Sequence, residues 1–156
     1  MLIDLKDLNE TKKIARKFIK FLEQGDIVLL QGDLGSGKTT FSRFLINQLQ
    51  SKNKLPMSEV TSPTFNIVNY YEVKKNNLQI AHYDFYRIKK FKELENIGFL
   101  DQIQNFVSII EWPNLIMKAI DQYLVISFFL NSKKNQRKIK FKGTGKWGQI
   151  LKNEFK

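Results

Sequence analysis

The sequence predicts an α/β domain: a mixed parallel and antiparallel sheet flanked by helices. Three observations carry that expectation. Ile27-Val28-Leu29-Leu30 is a continuous apolar run, the pattern of a strand covered on both faces. A glycine-rich turn and a helix with its apolar residues on one face follow at once. Farther on, Phe106 to Ile110 is a second apolar run, and β-rich segments in pairs stand on either side of it. At 156 residues the chain is read as one domain, residues 1–156, with a core large enough to stand without staples.

Asp7-Leu8-Asn9-Glu10 has the form of a helix capping box. Ile14, Ala15, Phe18, Phe21 and Leu22 follow at helical spacing, and Gly25 is expected to end that helix. The strand at residues 27–30 leads through Gly32–Gly37 into a second helix opening near Lys38, with Phe41, Phe44, Leu45 and Leu49 on one face. A polar stretch from Ser51 to Lys54 closes that unit. Phe65 to Glu72 and Leu78 to Arg87 read as a hairpin joined by Lys74-Lys75-Asn76-Asn77. Phe91 to Gln104 reads as a short helix interrupted near Gly98, and Phe106 to Trp112 as a strand stopped by Pro113. Asn114 to Asp121 is either helix or loop. Tyr123 to Leu130 and Lys138 to Lys142 read as two antiparallel strands, and a short amphipathic segment from Lys146 ends the chain.

Composition removes several function classes. There is no cysteine, which excludes disulfides, a zinc ribbon, an iron–sulfur site and a thiol nucleophile. His82 is the one histidine, so multi-histidine metal sites are excluded too. No apolar run reaches the roughly 20 residues of a membrane-spanning helix. The first residues are charged where a signal peptide needs an apolar stretch, so the expected compartment is the cytoplasm, with no membrane partner. The net charge of +11 is concentrated: residues 131–156 carry nine basic residues against one acid, Glu154. That segment is read as part of the domain or appended to it, and lysine far outnumbers arginine throughout.

Gly32-Asp33-Leu34-Gly35-Ser36-Gly37-Lys38-Thr39 satisfies G-x-x-x-x-G-K-[ST], the P-loop pattern. A polyphosphate needs several donors converging from one side, and a tight loop of backbone N–H groups supplies them. The helix opening at Lys38 aims its positive end at the same anion. Lys38 is placed to reach the β- and γ-phosphates and the Thr39 hydroxyl to ligate Mg²⁺, so ATP and Mg²⁺ are the expected cofactors. The magnesium also needs an acid at the end of a neighbouring strand. Asp84 and Glu111 both end apolar strands, one for the metal and one for the attacking water, and periodicity does not divide the roles between them.

Other residues carry weaker signals. Thr61-Ser62-Pro63-Thr64-Phe65 reads as a loop closing over a phosphate or as an ordinary turn. Arg43 and Arg87 are candidates for phosphate charge or for surface ion pairs. His82 reads as a packed strand residue or as a base, and Trp112 as a shield over the site or as core. Met57, Met117 and the thirteen phenylalanines read as packing.

Taken together these motifs resemble the TsaE family. Residues 32–40 match its G-D-L-G-[AS]-G-K-T-T loop, Ser62-Pro63-Thr64-Phe65 its S-P-T-[FY] segment, and His82 to Arg87 its H-x-D-x-Y-R segment. Glu93-Leu94-Glu95 with Gly98 resembles its E-L-x-x-x-G stretch, and Ile110-Glu111-Trp112-Pro113 its [IV]-E-W-P. The resemblance spans residues 11–113. It implies an ATP-binding, slowly hydrolysing subunit for threonylcarbamoylation of adenosine 37 in tRNAs reading ANN codons. Such a subunit works with TsaD and TsaB, meets tRNA through that complex, and is not itself the transferase. Carried over, Asp33, Leu34, Gly35, Ser36, Gly37, Lys38, Thr39 and Thr40 hold the nucleotide, with Thr11 on the adenine side. Thr39 and Glu111 are the magnesium ligands, Lys38 is the phosphate contact, Asp84 is a hydrolysis residue, and Trp112 neighbours the site. The lysine-rich segment after Asn131 matches no motif of the family.

Two other readings compete. A small-molecule kinase on the same scaffold needs an acceptor lid and arginines for a second phosphate, and the chain has four arginines and no long insertion. An RNA-binding module would use the basic residues 131–156, with nucleotide as a regulator.

Overall fold

The computed structural model describes residues 2–74, 78–131, 133 and 136–155. In chain order they form β1 (Leu2–Leu5), α1 (Leu8–Phe18), β2 (Ile27–Gln31), α2 (Lys38–Lys52), β3 (Val68–Lys74), β4 (Leu78–Asp84), α3 (Phe91–Asn96) and α4 (Phe99–Gln102). β5 (Val107–Glu111), β6 (Leu124–Asn131), β7 (Gln136–Gly143) and α5 (Lys146–Glu154) complete the chain. The seven strands form one sheet in the order β1-β7-β6-β2-β5-β4-β3. β6, β2, β5 and β4 run parallel in its centre, and the antiparallel pairs β1·β7, β6·β7 and β3·β4 complete its two sides. The expected α/β architecture with a mixed sheet is the one observed.

The apolar runs become central strands because both of their faces are covered. In β2, Val28 and Leu30 enter the core beneath α1, α2 and α5, while Ile27 and Leu29 enter the core beneath α3 and α4. β5 divides the same way, with Val107 and Ile109 on the first side and Ile110 on the second. Phe18, Phe41, Phe141, Trp147 and Phe155 knit the first core by ring contacts; Phe18 and Phe155 stack at 4.4 Å. Tyr83, Phe85 and Phe99 do the same for the second, with centroids 5.0 to 5.6 Å apart.

The capping box is present in a modified form. The Glu10 N–H donates to Asp7 Oδ1 at 2.9 Å, and the Glu10 carboxylate accepts in return from the Lys6 N–H at 2.7 Å. α1 then stops at Phe18, well before the expected end at Gly25. Phe21 and Leu22 keep their place against the core from a turn, and Gly25, at φ +87°, steers the chain into β2 with its N–H on the Phe106 carbonyl. β1 is a strand the sequence reading leaves unassigned. It has four residues, lies at the sheet edge and takes its register from β7.

The hairpin of β3 and β4 forms as expected; residues 75–77 of its turn lie outside the described residues, as do residues 132, 134 and 135 between β6 and β7. Gly98, at φ +67°, separates α3 from α4 where the interruption was expected. The segment from Asn114 resolves into a short 3-10 turn over Pro113–Leu115 followed by bends. Met57, Phe65 and Phe129 do not pack, as was expected of them, but are 69%, 84% and 48% exposed. Among the described residues no helix is long and apolar enough to cross a membrane.

Candidate functional site

The loop between β2 and α2 is built around two kinds of glycine. Gly32, at φ +147°, passes so close to β6 that a Cβ would stand 2.6 Å from the Phe128 carbonyl oxygen. Gly35, at φ +74°, faces open space, with nothing within 4 Å of such a Cβ. The loop is thus pinned from behind and bare in front, where a phosphate chain needs room. Asp33 contributes backbone rather than side chain: its carbonyl accepts from the Ser36 N–H and from Lys38.

Lys38 is folded back over this loop. Its ammonium donates to the Gly32 and Asp33 carbonyls at 2.7 and 2.9 Å and sits 4.1 Å from the centre of the Trp112 ring. Burial holds its pKa below the ordinary lysine value, against the pull of Glu111, Asp84 and Asp33 in the opposite direction. Trp112 reaches this position by turning at φ +58° directly after β5, a conformation uncommon for a bulky residue, with Pro113 next in the chain. Its ring also packs on Tyr86, with centroids 4.9 Å apart.

The two candidate acids end adjacent parallel strands in register, Asp84 of β4 beside Glu111 of β5. Their surroundings differ. Thr39 Oγ1 donates toward both Glu111 carboxylate oxygens, at 2.9 and 3.1 Å, and His82 Nε2 lies 2.9 Å from Glu111 Oε1. The tautomer with its proton on Nε2 makes this contact a hydrogen bond to the carboxylate; Nδ1 is buried and unpartnered. Asp84 instead gathers a loop. Its Oδ2 accepts from Ser62 Oγ at 2.6 Å and Thr64 Oγ1 at 2.7 Å, and its Oδ1 from the Tyr86 N–H at 2.9 Å. That loop leads into Ile67, a β-branched residue at φ +67°, whose N–H donates to the Pro63 carbonyl at 2.7 Å.

Lys38, Thr39, Asp84, Glu111 and Trp112 line one cleft of about 300 Å³. A second cavity of about 370 Å³ lies beyond the loop and takes in Thr11, Ser36, Phe128 and Arg137. The two share Gly35, Gly37 and Thr40, so they run together around the loop. The residues fit a nucleotide and a hard cation. The Ser36 hydroxyl is buried without a partner beside the loop. The Thr39 hydroxyl and Glu111 carboxylate are oxygen donors suited to Mg²⁺. No group of three or more acidic, histidine or cysteine side chains able to hold a metal occurs among the described residues, so phosphate oxygens and water would complete the coordination.

Other expectations resolve differently. The Arg43 guanidinium donates to the Val60 carbonyl at 3.1 Å, and that of Arg87 lies over the exposed Phe65 ring at 5.2 Å; neither lines the cleft. Leu34 lines it from the loop tip, 79% exposed. Tyr86 is a cleft residue that sequence reasoning missed, and Phe128 and Arg137 are missed members of the second cavity. His82 had a signal, since it stands two residues before Asp84 on the same strand face.

The family profile described as threonylcarbamoyl adenosine biosynthesis protein TsaE matches residues 5–139. The chain belongs to the TsaE family. Among its relatives, the tRNA threonylcarbamoyladenosine biosynthesis protein TsaE of Rickettsia prowazekii is 40% identical over 121 residues, 78% of this chain and 80% of that protein. The TsaE protein of Bacillus subtilis is 32% identical over 147 residues, 94% of this chain and 87% of the relative. The crystal structure of Bacillus subtilis YdiB superposes with a TM-score of 0.73 at 27% identity, covering 99% of this chain and 92% of that one. The TsaE match thus runs from the last residue of β1 through all of α1 and into β7, beyond the span of the motifs at residues 11–113.

Proposed function

We propose that this TsaE-family chain binds ATP with Mg²⁺ and hydrolyses it slowly, in support of threonylcarbamoylation of adenosine 37 in tRNAs reading ANN codons. In this reading it acts in the cytoplasm with TsaB and TsaD. The family supports the pathway. The contact that carries the nucleotide reading is the pairing of Thr39 Oγ1 with the Glu111 carboxylate beside a lysine-capped P-loop. These two oxygens would hold Mg²⁺, which supplies charge neutralisation on the transferring phosphoryl group.

The chain's own residues divide the remaining work. The main-chain N–H groups of Gly35, Gly37, Lys38 and Thr39 and the positive end of α2 bind the phosphates. Lys38 exchanges its two carbonyl partners for phosphate oxygens, whose negative charge stabilises an ammonium that burial disfavours. Asp84, held by Ser62, Thr64 and the Tyr86 N–H, is positioned to orient the attacking water and to couple it to the residue 62–67 loop. Trp112 covers Lys38 and limits water there. Thr11 and its cavity receive the base end.

Lys38 is the only cation among the described residues lining the cleft. With no arginine among the described residues lining that cleft to stabilise the transition state, turnover by the isolated chain is slow, and a partner completes the site. The test is phosphate release by the chain alone and with added TsaB and TsaD. Turnover far below about 1 s⁻¹ alone, accelerated by the pair, is expected. Kinase-like turnover by the chain alone, with no gain from the pair, overturns the reading.

A further inference from the structure

The basic residues 131–156 were the sequence's candidate for contact with nucleic acid, and the fold puts part of that charge to structural use. Lys146 is held by Glu23 and Asp26 at 2.8 Å each, and Lys138 by Asp4 at 3.2 Å. A different surface keeps its charge unneutralised. Two hollows of about 450 and 300 Å³ adjoin along α1 and α2 and share Lys12, Arg16 and Gln48, forming one groove. Lys13, Lys20 and Lys52 bring its cations to five, all exposed, with no acid among its lining residues. None of the five forms an ion pair among the described residues. α2 contains no acid at all, and the one acid of α1, Glu10, is turned back onto the Lys6 N–H.

We propose that this α1–α2 groove binds the phosphate backbone of RNA, so that the chain touches tRNA directly as well as through a complex. Lys12 and Arg16 are four residues apart and so follow one another at about 6 Å along the helix axis, with Lys20 continuing the row in the turn beyond. Ser51 adds a neutral donor from α2, and Gln48 ties the two helices together by donating from Nε2 to the Lys12 carbonyl at 3.0 Å. Ile19 is the only apolar residue of the lining, which argues against the alternatives: a protein partner wants apolar anchors at the centre of its patch, and an anionic membrane wants apolar wedges beside the charge. Four of the five cations are lysines, point charges that follow a backbone without reading bases, so binding is insensitive to sequence. The groove shares no lining residue with the cleft or with the second cavity beside the loop.

The experiment uses the full chain and an unmodified tRNA transcript, with affinity read by fluorescence anisotropy at 50 and 200 mM salt. Reversing three groove charges together (Lys12→Glu, Arg16→Glu, Lys20→Glu) is expected to weaken binding about tenfold or more and to flatten the slope of log affinity against log salt by about 2. An equal reversal on β7 and α5 (Lys140→Glu, Lys142→Glu, Lys152→Glu) costs less than about threefold. Affinity for an ATP analogue is unchanged in the groove variant, so failure here is separable from failure of the nucleotide reading. Should the glutamate triple not fold, the Lys12→Gln, Arg16→Gln, Lys20→Gln triple carries the same comparison. Equal losses from both surfaces, or no loss from the groove, overturn the proposal. So does retained tRNA affinity with lost binding to TsaB and TsaD, which makes the groove a protein-docking face.

Discussion

Thr39 Oγ1 donates to both oxygens of Glu111, joining the first turn of α2 to the last residue of β5. That bond places a hydroxyl and a carboxylate together at the carboxyl end of the parallel strands, where open α/β sheets bind their ligands. Replacing Glu111 by Gln keeps the shape and removes the charge. The expected result is a loss of Mg²⁺-dependent turnover of about 100-fold or more, with nucleotide affinity measured in EDTA little changed. Phosphate release and calorimetric titration with and without magnesium make the comparison. Full activity in this variant moves the metal to Asp84.

In the proposed reading, Lys38→Ala removes a charge-assisted contact to phosphate, an interaction of about 1.5–3 kcal/mol. Nucleotide affinity should fall by roughly 10- to 150-fold. Titration with a non-hydrolysable analogue reads this directly, and an affinity within twofold of the parent chain contradicts the role.

His82 is fully buried, with its Nε2 2.9 Å from Glu111 Oε1. His82→Ala leaves the carboxylate one donor short and opens a void, at about 2–3 kcal/mol of stability. Its effect on metal should exceed its effect on nucleotide, with the magnesium concentration for half-maximal turnover rising about tenfold or more. His82→Gln, which can keep a donor near Glu111, should recover part of that shift. Equal behaviour of the two variants in the magnesium titration rules the positioning role out.

Asp84→Asn withdraws the carboxylate that holds Ser62 and Thr64. Hydrogen exchange across residues 61–67 should quicken while β4 itself stays protected. Turnover should drop more than nucleotide affinity. A loop as protected as before, with lost turnover, leaves Asp84 a purely chemical role.

The Lys146 ammonium bridges Glu23 and Asp26 between α5 and the entry to β2. Burial draws its pKa down, but the hydrogen bonds and charges of Asp26 and Glu23 outweigh this and leave it above the ordinary 10.5. The hydrogen bond and charge of Lys146 lower that of Glu23 from 4.5. The Glu23 contribution to stability is therefore present above about pH 4.5 and lost as pH falls through its folded value. The Lys146 contribution is present below pH 10.5 and lost as pH rises through its own. Lys146→Met should lower Tm at neutral pH by about 2–4 °C, for about 1 kcal/mol, and flatten both flanks of the Tm–pH curve. Thermal melts from pH 3 to 11 check it; flanks as steep as in the parent chain contradict it.

Several parts of this molecule were legible because their determinants are contiguous. The P-loop is eight consecutive residues, the capping box four, and β2 and β5 declare themselves as apolar runs. Gly98 marked the break between α3 and α4 for the same reason. β1 was illegible because its four residues become a strand only by pairing with Arg137 to Lys140, far along the chain. The end of α1 was misjudged because Phe21 and Leu22 keep a helical spacing while packing from a turn.

The amino-acid order alone determined the fold class, the glycine-rich loop between β2 and α2, the two strand-end acids and the resemblance to TsaE, since each rests on short-range pattern. The tertiary structure decided how those parts are used. Parallel register set Asp84 beside Glu111, and long-range packing then gave Glu111 the partners Thr39 and His82 and Asp84 the partners Ser62 and Thr64. It likewise paired Lys146 and Lys138 with acids and, among the described residues, left the cations of the α1–α2 groove without them. The reason is geometric. A hydrogen bond or ion pair depends on separations of about 3 Å between atoms tens of residues apart, and only the closed sheet with its packed helices fixes those separations.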